Sequence, residues 1–189
     1  GGSLDGGMGL DLAVATVAST AAQPFRLNLA SAQQRSVTVN NGTPEQTSWK
    51  AVEFVQISTA TGNDSVDVRG IRADGYRLNR DGWEAVQSGH VFNGGEGDDS
   101  FAIDLGSQGK HIFDAYIGND RLVMDWSAAS GDIRRIFLGN VGYRYSTILK
   151  LGGVSQDQVL EYYSVERFEL SGGQGDDELY GGDDRDQLK

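Results

Sequence analysis

Nonapeptides rich in glycine and aspartate carry the residues of this chain whose types and spacing could do chemistry. Two of them stand in tandem at 172–180 and 181–189, each of the form Gly-Gly-x-[Gly/Asp]-x-Asp-x-U-x, where U is a large apolar residue. Carboxylate oxygens are hard ligands of the kind that Ca²⁺ prefers. Glycines allow left-handed backbone angles and a close approach of carbonyl groups. The tandem units therefore predict calcium-binding turns, each followed by a short strand.

Further copies of the unit lie upstream. Complete copies occur at 94–102 and 6–14, and two shorter copies keep only Gly-x-Asp, at 62–66 and 118–122. In every copy the aspartate stands two residues before an apolar residue. Exposed Gly-Asp turns without metal are the alternative interpretation, and the strict repetition at 172–189 speaks against it. The aspartates in question are Asp11, Asp64, Asp99, Asp120, Asp177 and Asp186.

The nonapeptides resemble those of the repeats-in-toxin (RTX), or haemolysin-type calcium-binding, family. The resemblance covers 172–189, 94–102 and 6–14. It implies Ca²⁺ held between the loops of stacked coils by motif carboxylates and backbone carbonyls. It also implies a bacterial protein that leaves the cell by type I secretion and is secreted or displayed on the cell surface. The metal ligands that it implies are Asp177, Asp186, Asp99, Asp11, Asp120, Asp64, Gly94, Gly95, Gly97, Gly172, Gly173 and Gly175.

A calcium site between stacked loops needs two loops, one coil apart. The loops 94–99 and 115–120 have suitable spacing and are expected to form a complete internal site. The loop 59–64 has Thr-Ala-Thr in place of the Gly-Gly-x triplet, which argues for a plain turn. The partner of the 172–177 loop would fall beyond Lys189, so the terminal copies are expected to be half-sites.

Composition narrows the classes of partner. The 189 residues carry a formal net charge of −11, with 27 glycines, 2 prolines and no cysteine. This charge disfavours nucleic acid as a partner, because no basic stripe offsets it. Disulfides are excluded, and no apolar run is long enough to span a membrane. The first residues lack the basic and apolar segments of a signal peptide. We expect a monomeric fragment of a larger secreted protein.

The chain also matches itself at a shift of about 113 residues. The stretch 52–66 aligns without gaps to 165–179, and repetition at this scale is typical of stacked coils that share one core. The predicted fold is a single all-β domain over 1–189. More closely, it is a right-handed parallel β-solenoid (β-helix or β-roll) with irregular coils. Its duplicated halves are 6–68 and 115–181, joined by connecting coils over 69–114.

Short β-type runs separated by glycine or polar turns support an all-β reading. The alanine-rich stretch 13–17 is predicted to be a strand, because its duplicate near 122 contains larger β-type residues. Gly75 and the pair Asp81-Gly82 predict hairpin turns in the connecting segment. The other predicted strands include 37–39, 101–103, 112–113, 122–124 and 148–151.

Three classes of function remain open. The first is a calcium-binding structural module that folds and becomes rigid on binding Ca²⁺. The second is a glycan-binding or cell-surface (adhesin) module that uses the basic and aromatic segment 69–90 and exposed aromatic residues, namely Tyr76, Trp83, Tyr143 and Tyr145. The third is a fragment of a polysaccharide-acting β-helix enzyme, with Asp104 and Asp125 as a conceivable acidic pair. No catalytic motif is present, so we expect no enzymatic activity.

Overall fold

All regular elements of the described residues are β-strands. A computed structural model describes residues 3–5, 12–22, 24–28, 36–40, 46–50, 54–70, 76–79, 82–85, 89–105, 109–139, 142–151, 154–182 and 185–189. The strands are β1 (Ser3–Asp5), β2 (Leu12–Thr16), β3 (Arg26–Asn28), β4 (Ser36–Asn40), β5 (Gln46–Lys50), β6 (Phe54–Ser58), β7 (Ser65–Asp67), β8 (Tyr76–Asn79), β9 (Gly82–Ala85), β10 (Val91–Asn93), β11 (Ser100–Asp104), β12 (Gly109–Asp114), β13 (Arg121–Asp125), β14 (Arg134–Gly139), β15 (Gly142–Leu151), β16 (Val154–Tyr163), β17 (Arg167–Ser171) and β18 (Gln187–Leu188).

Two large sheets face each other. The nine-stranded sheet has the order β1-β5-β4-β3-β7-β11-β13-β17-β18, and the seven-stranded sheet has the order β14-β15-β16-β12-β10-β6-β2. Between β6 and β13, strands next in sequence fall alternately in the two sheets, apart from β8 and β9. All pairings among them are parallel: β6 with β10 and β10 with β12 in the seven-stranded sheet, and β7 with β11 and β11 with β13 in the nine-stranded sheet. We use the word layer for one strand of the seven-stranded sheet, the loop after it, and the strand of the nine-stranded sheet that follows.

The core lies between the two sheets because inward and outward residues alternate along each strand. In Arg121–Asp125, for example, Leu122 and Met124 are buried while the residues beside them are not. A row of aromatic rings runs through the core. Phe92 stacks on Phe113 with ring centroids 5.4 Å apart, and Phe101 of the facing sheet lies 5.6 Å from Phe113.

The predicted right-handed parallel β-solenoid is wrong, because both large sheets are mixed. In the nine-stranded sheet β4 pairs antiparallel with both β3 and β5. In the seven-stranded sheet β15 pairs antiparallel with both β14 and β16. Connections of two residues join β14 to β15 and β15 to β16, and so short a connection returns the chain antiparallel.

Sequence signals for these hairpins are present. Gly152-Gly153 separates the apolar runs of β15 and β16, and Asn41-Gly42 separates β4 from β5. Both dipeptides are typical of hairpin turns.

Several local predictions are confirmed. The alanine-rich stretch forms β2, and the hairpin predicted at Asp81-Gly82 is present, since β8 and β9 form a separate two-stranded antiparallel sheet. Gly75, the other predicted turn residue, lies outside the described residues. The division into duplicated halves stays a prediction. The matched stretches contain β6 and β17, which lie in different sheets.

Candidate functional site

Three Gly-x-Asp loops stack at one edge of the fold. The loops 59–64, 94–99 and 115–120 each lead from the seven-stranded sheet to the nine-stranded sheet. Parallel bridges join Thr61 to Glu96 and Glu96 to Ile117, so each loop continues the pairing of the strands before it. We call these three loops the loop column. The loops 94–99 and 115–120 are therefore neighbours, as their spacing predicted.

The aspartates of the loop column form a ladder with the backbone. Asp99 Oδ1 accepts a hydrogen bond from the backbone N–H of Asp64 at 2.8 Å, and Asp120 Oδ1 accepts one from the backbone N–H of Asp99 at 2.7 Å. Each carboxylate thus pairs an N–H group of the preceding layer. A buried N–H group without an acceptor costs free energy. Pairing this N–H group is therefore by itself a sufficient reason for an acceptor at the aspartate position.

The ladder continues at both ends. Glu166 Oε2 accepts a hydrogen bond from the backbone N–H of Asp120 at 2.8 Å, in the loop that joins β16 to β17. At the other end, Asp64 Oδ1 accepts from the backbone N–H of Phe25 at 2.6 Å and Asp64 Oδ2 accepts from the hydroxyl of Ser19 at 2.7 Å. We call Asp64, Asp99, Asp120 and Glu166 the carboxylate ladder.

The middle of the ladder holds two oxygen atoms that accept no hydrogen bond from any described residue. Asp99 and Asp120 are both fully buried, and these two atoms are their Oδ2 oxygens. Burial raises the pKa of both carboxyls to about 7, and neighbouring carboxylates add to the effect: Asp64 acts on Asp99, and Glu166 acts on Asp120. The ladder therefore favours either a proton or a cation at Asp99 and Asp120.

In the three complete nonapeptides whose first glycine the structure describes, this glycine makes room for the aspartate of the same copy. A Cβ atom at Gly94 would collide with Asp99 Oδ2, and one at Gly172 would collide with Asp177 Oδ2. A Cβ atom at Gly181 would likewise collide with the Asp186 carboxylate. In each copy the carboxylate folds back over the start of its own loop, which explains the spacing of five residues between the two.

The other loop glycines touch the backbone of the preceding layer. A Cβ atom at Gly97 would collide with the carbonyl oxygen of Gly62, and one at Gly118 would collide with that of Gly97. Gly97 also has a φ of +128°, and Gly95 has a φ of +88° against the carbonyl of Ala60. Close stacking of the loops therefore requires glycine at these positions.

Not all of the sequence-predicted ligands come together. Asp64, Asp99 and Asp120 share the ladder, and Asp186 lies farther along the same edge, where its Oδ1 accepts from the backbone N–H of Phe168 at 2.7 Å. Asp177 lies at the opposite edge, with Gly172, Gly173 and Gly175, and accepts from the backbone N–H of Ile133 at 2.9 Å. Asp11 lies outside the described residues.

The fit to a calcium ion is partial. The two unpartnered Oδ2 atoms of Asp99 and Asp120 are hard oxygens of the right type. Within the described ranges, however, no group of three or more acidic, histidine or cysteine side chains gathers around one point. The carbonyl oxygens of Gly95 and Ile117 already accept backbone hydrogen bonds between loops. An ion here would use the two carboxylates together with carbonyl oxygens that the loops would have to turn toward it.

Glu166 is the ladder member that sequence reasoning missed. It lies 46 residues after Asp120, and its loop lacks the Gly-x-Asp pattern. Its longer side chain reaches the same backbone N–H that a motif aspartate would. No local signal marks it, because only the stacking of β17 on β13 brings it to the ladder.

The pair Asp104 and Asp125 lies in register on β11 and β13, so the two residues are neighbours on parallel strands. Asp104 Oδ2 accepts from the backbone N–H of Gly70 at 2.8 Å, and Asp125 Oδ1 accepts from the hydroxyl of Ser127 at 2.7 Å. Asp104 is thus bound to the turn that follows β7, and Asp125 to the turn that follows its own strand.

Aromatic residues predicted to be exposed divide into two groups. Tyr145 is fully buried, so its prediction as a surface-binding residue is wrong: its hydroxyl donates to the carbonyl of Tyr180 at 2.9 Å inside the fold. Tyr143 is half-buried under Arg135. Tyr76 and Trp83 lie in β8 and β9. Trp126 and Tyr162 fill the core.

Comparison with known proteins finds no matching family model, curated protein or solved structure. Among the described residues, no helix has the length and apolar character that crossing a membrane would need.

Gly97→Ala should destabilise the protein by roughly 1–3 kcal/mol, because it adds a left-handed backbone angle to a collision with the carbonyl of Gly62. Urea unfolding followed by circular dichroism measures the loss. Gly139→Ala is the matched control, since Gly139 also has a positive φ of +81° but nothing within 4 Å of its added Cβ. Equal losses in the two variants would mean that loop stacking does not require glycine at position 97.

Metal-free protein should lose the stability contributed by Asp99 and Asp120 as pH rises. Their pKa values are raised from 3.8 to about 7, so this contribution is full below about pH 4 and declines between about pH 4 and 7. The slope is at most about 1.4 kcal/mol per pH unit for each group. Asp99→Asn keeps an acceptor for the Asp64 N–H and should flatten the profile of unfolding free energy.

Asp176→Asn is the control for that experiment, because it removes the same charge from an exposed residue at the opposite edge. The free energy of unfolding is measured in chelator from pH 4 to 8. If both variants kept the slope of the parent protein, Asp99 would be ionised normally in the folded state.

Proposed function

We propose that this chain is a calcium-binding structural module of a larger secreted bacterial protein, and that Ca²⁺ stabilises its stacked loops. The observation that carries the proposal is the pair of buried Oδ2 atoms on Asp99 and Asp120, which accept no hydrogen bond from the described residues. A buried carboxylate in such a position needs a proton or a cation. At the millimolar calcium levels outside cells, a cation is the better candidate.

The nonapeptides support calcium over other ions. They resemble the RTX repeats in sequence, and the loops offer only oxygen ligands, without cysteine or histidine at the ladder. Oxygen-only sites with carboxylates and carbonyls suit Ca²⁺. The flexible coordination of Ca²⁺ also suits a site where two carboxylates are fixed and the other ligands adjust.

The negative charge of the chain couples calcium binding to folding. The chain has a net charge of −11, so its carboxylates repel one another in the compact state, and the carboxylate ladder brings several of them together at one edge of the fold. An ion that binds the folded chain and not the unfolded chain stabilises the fold by mass action. The folded module would thus be less stable in a calcium-poor cytosol and more stable after export.

Calcium titration of metal-stripped protein tests the proposal. Adding Ca²⁺ should raise the midpoint of urea unfolding and the far-UV β signal cooperatively, whereas Mg²⁺ should have little effect because it demands a rigid octahedral shell. A β signal and an unfolding midpoint that are the same in chelator and in calcium would overturn it.

Two variants locate the ion. Asp99→Asn should weaken calcium binding roughly tenfold or more, since it removes one charged ligand. Asp176→Asn changes the net charge equally but alters an exposed side chain at the opposite edge, and should leave the affinity within about twofold. Isothermal titration calorimetry at fixed ionic strength measures both. Equal weakening would indicate a diffuse charge effect and no site on the ladder.

A second candidate function is glycan binding, favoured by one surface. Phe137 and Tyr180 are exposed to 64% and 50%, and the Arg135 guanidinium lies 3.7 Å from the ring centroid of Tyr143 and 4.8 Å from that of Tyr180. Aromatic rings beside an arginine suit an acidic polysaccharide. Such a ligand should quench tyrosine fluorescence in the parent protein but not in Tyr180→Ala, and Tyr116→Ala, at another exposed tyrosine, is the control. No quenching at millimolar sugar would remove this candidate.

A further inference from the structure

The only two histidines of the chain are stacked in the core. His90 and His111 are both fully buried, their ring centroids are 5.3 Å apart and their planes differ by 21°. They are in register on neighbouring strands of the seven-stranded sheet, one residue before Val91 of β10 and within β12. Two titratable groups of one type, paired away from water, are unusual in a core of apolar side chains.

Each imidazole accepts a hydrogen bond from the backbone of the preceding strand. His111 Nδ1 accepts from the backbone N–H of His90 at 3.0 Å, and His90 Nδ1 accepts from the backbone N–H of Val55 at 3.3 Å. An Nδ1 atom that accepts must carry a lone pair, so both rings are neutral and carry their proton on Nε2. The carbonyl of His90 in turn accepts from the backbone N–H of Ile112 at 2.9 Å. The pair therefore joins β6, β10 and β12 at the start of these strands.

The described residues beside the pair in its own sheet and across the core are apolar. Val55 and Leu160 lie in register on either side of the two histidines, and the inward residues of β7, β11 and β13 are apolar. Lys110, next to His111 on β12, pairs with Glu161 at 2.9 Å. Asp104 and Asp125 follow the inward Ile103 and Met124 and so alternate to the outer face.

We propose that the His90–His111 pair is an acid-sensitive joint, which holds β6, β10 and β12 together while both rings are neutral and opens them when a ring is protonated. A proton on Nδ1 turns the acceptor into a donor that faces a backbone N–H, so the hydrogen bond is lost. It also places a positive charge in an apolar core, 5.3 Å from the second ring.

The sign of the pH dependence follows from burial. Burial, and then the neighbouring His111, lowers the pKa of His90 well below its usual value. The unfolded chain, whose histidines have pKa values near 6.5, then binds more protons than the folded chain below that pH. The stabilisation by the joint is therefore full above about pH 6.5 and is lost progressively as pH falls below it. This is opposite to the trend expected for Asp99 and Asp120.

A double variant, His90→Asn with His111→Asn, tests the joint. The asparagine Oδ1 takes the place of Nδ1 as an acceptor but does not titrate. The smaller side chains lower stability at every pH, so the readout is the pH slope and not the stability itself. Between pH 6.5 and 5, the unfolding equilibrium constant of the parent protein should rise relative to that of the variant by up to about tenfold per pH unit, the contribution of His90.

The measurement is urea unfolding in chelator at several pH values. The carboxylates are the same in parent and variant, so their titration contributes equally to both profiles. Nuclear magnetic resonance of the folded parent protein supplies a second readout, in which both imidazoles should show the neutral Nε2–H tautomer and His90 should not titrate down to the pH at which the protein unfolds. Parallel unfolding profiles for parent and variant, or an imidazole that titrates near pH 6.5 in the folded state, would overturn the proposal.

Discussion

Backbone N–H groups at the corners of the two sheets need acceptors away from water, and side chains of the following layer supply them. Asp99 and Asp120 do this at the edge of the loop column, and His111 does it near the opposite ends of the strands. A buried N–H group without a partner costs free energy comparable to a lost hydrogen bond. The acceptor of one layer therefore fixes the position of the layer before it, and the stacking of strands depends on this pairing.

The choice of acceptor sets how the fold responds to its surroundings. A carboxylate is a strong acceptor, but burying it raises its pKa, so Asp99 and Asp120 make the metal-free fold sensitive to rising pH. An imidazole is a neutral acceptor that fails when protonated, so the histidine pair makes the fold sensitive to falling pH. A cation at the carboxylates would relieve the first sensitivity and leave the second unchanged. If Ca²⁺ binds as proposed, acceptor chemistry would link the architecture of the chain to calcium and to acidity by separate routes.

The antiparallel hairpins limit how far this stacking extends. Three strands, β14, β15 and β16, fold back on one another at one side of the seven-stranded sheet, and β3, β4 and β5 do so within the nine-stranded sheet. The hairpin end exposes Phe137, whose ring lies 5.2 Å from that of Tyr143, and Tyr143 stacks in turn on the buried Tyr162.

The sequence by itself determined the local units: short alternating strands, loops that require glycine, and aspartates two residues before an apolar side chain. It also placed 94–99 beside 115–120, because their spacing matches one layer. Only the tertiary structure decided which acceptor meets which N–H group. Glu166 joins the ladder from a loop without the motif, Asp177 falls at the opposite edge, and the histidines meet although 21 residues separate them. The physical reason is that a turn motif is encoded locally, whereas the pairing of layers depends on which connections are tight hairpins and which cross between sheets.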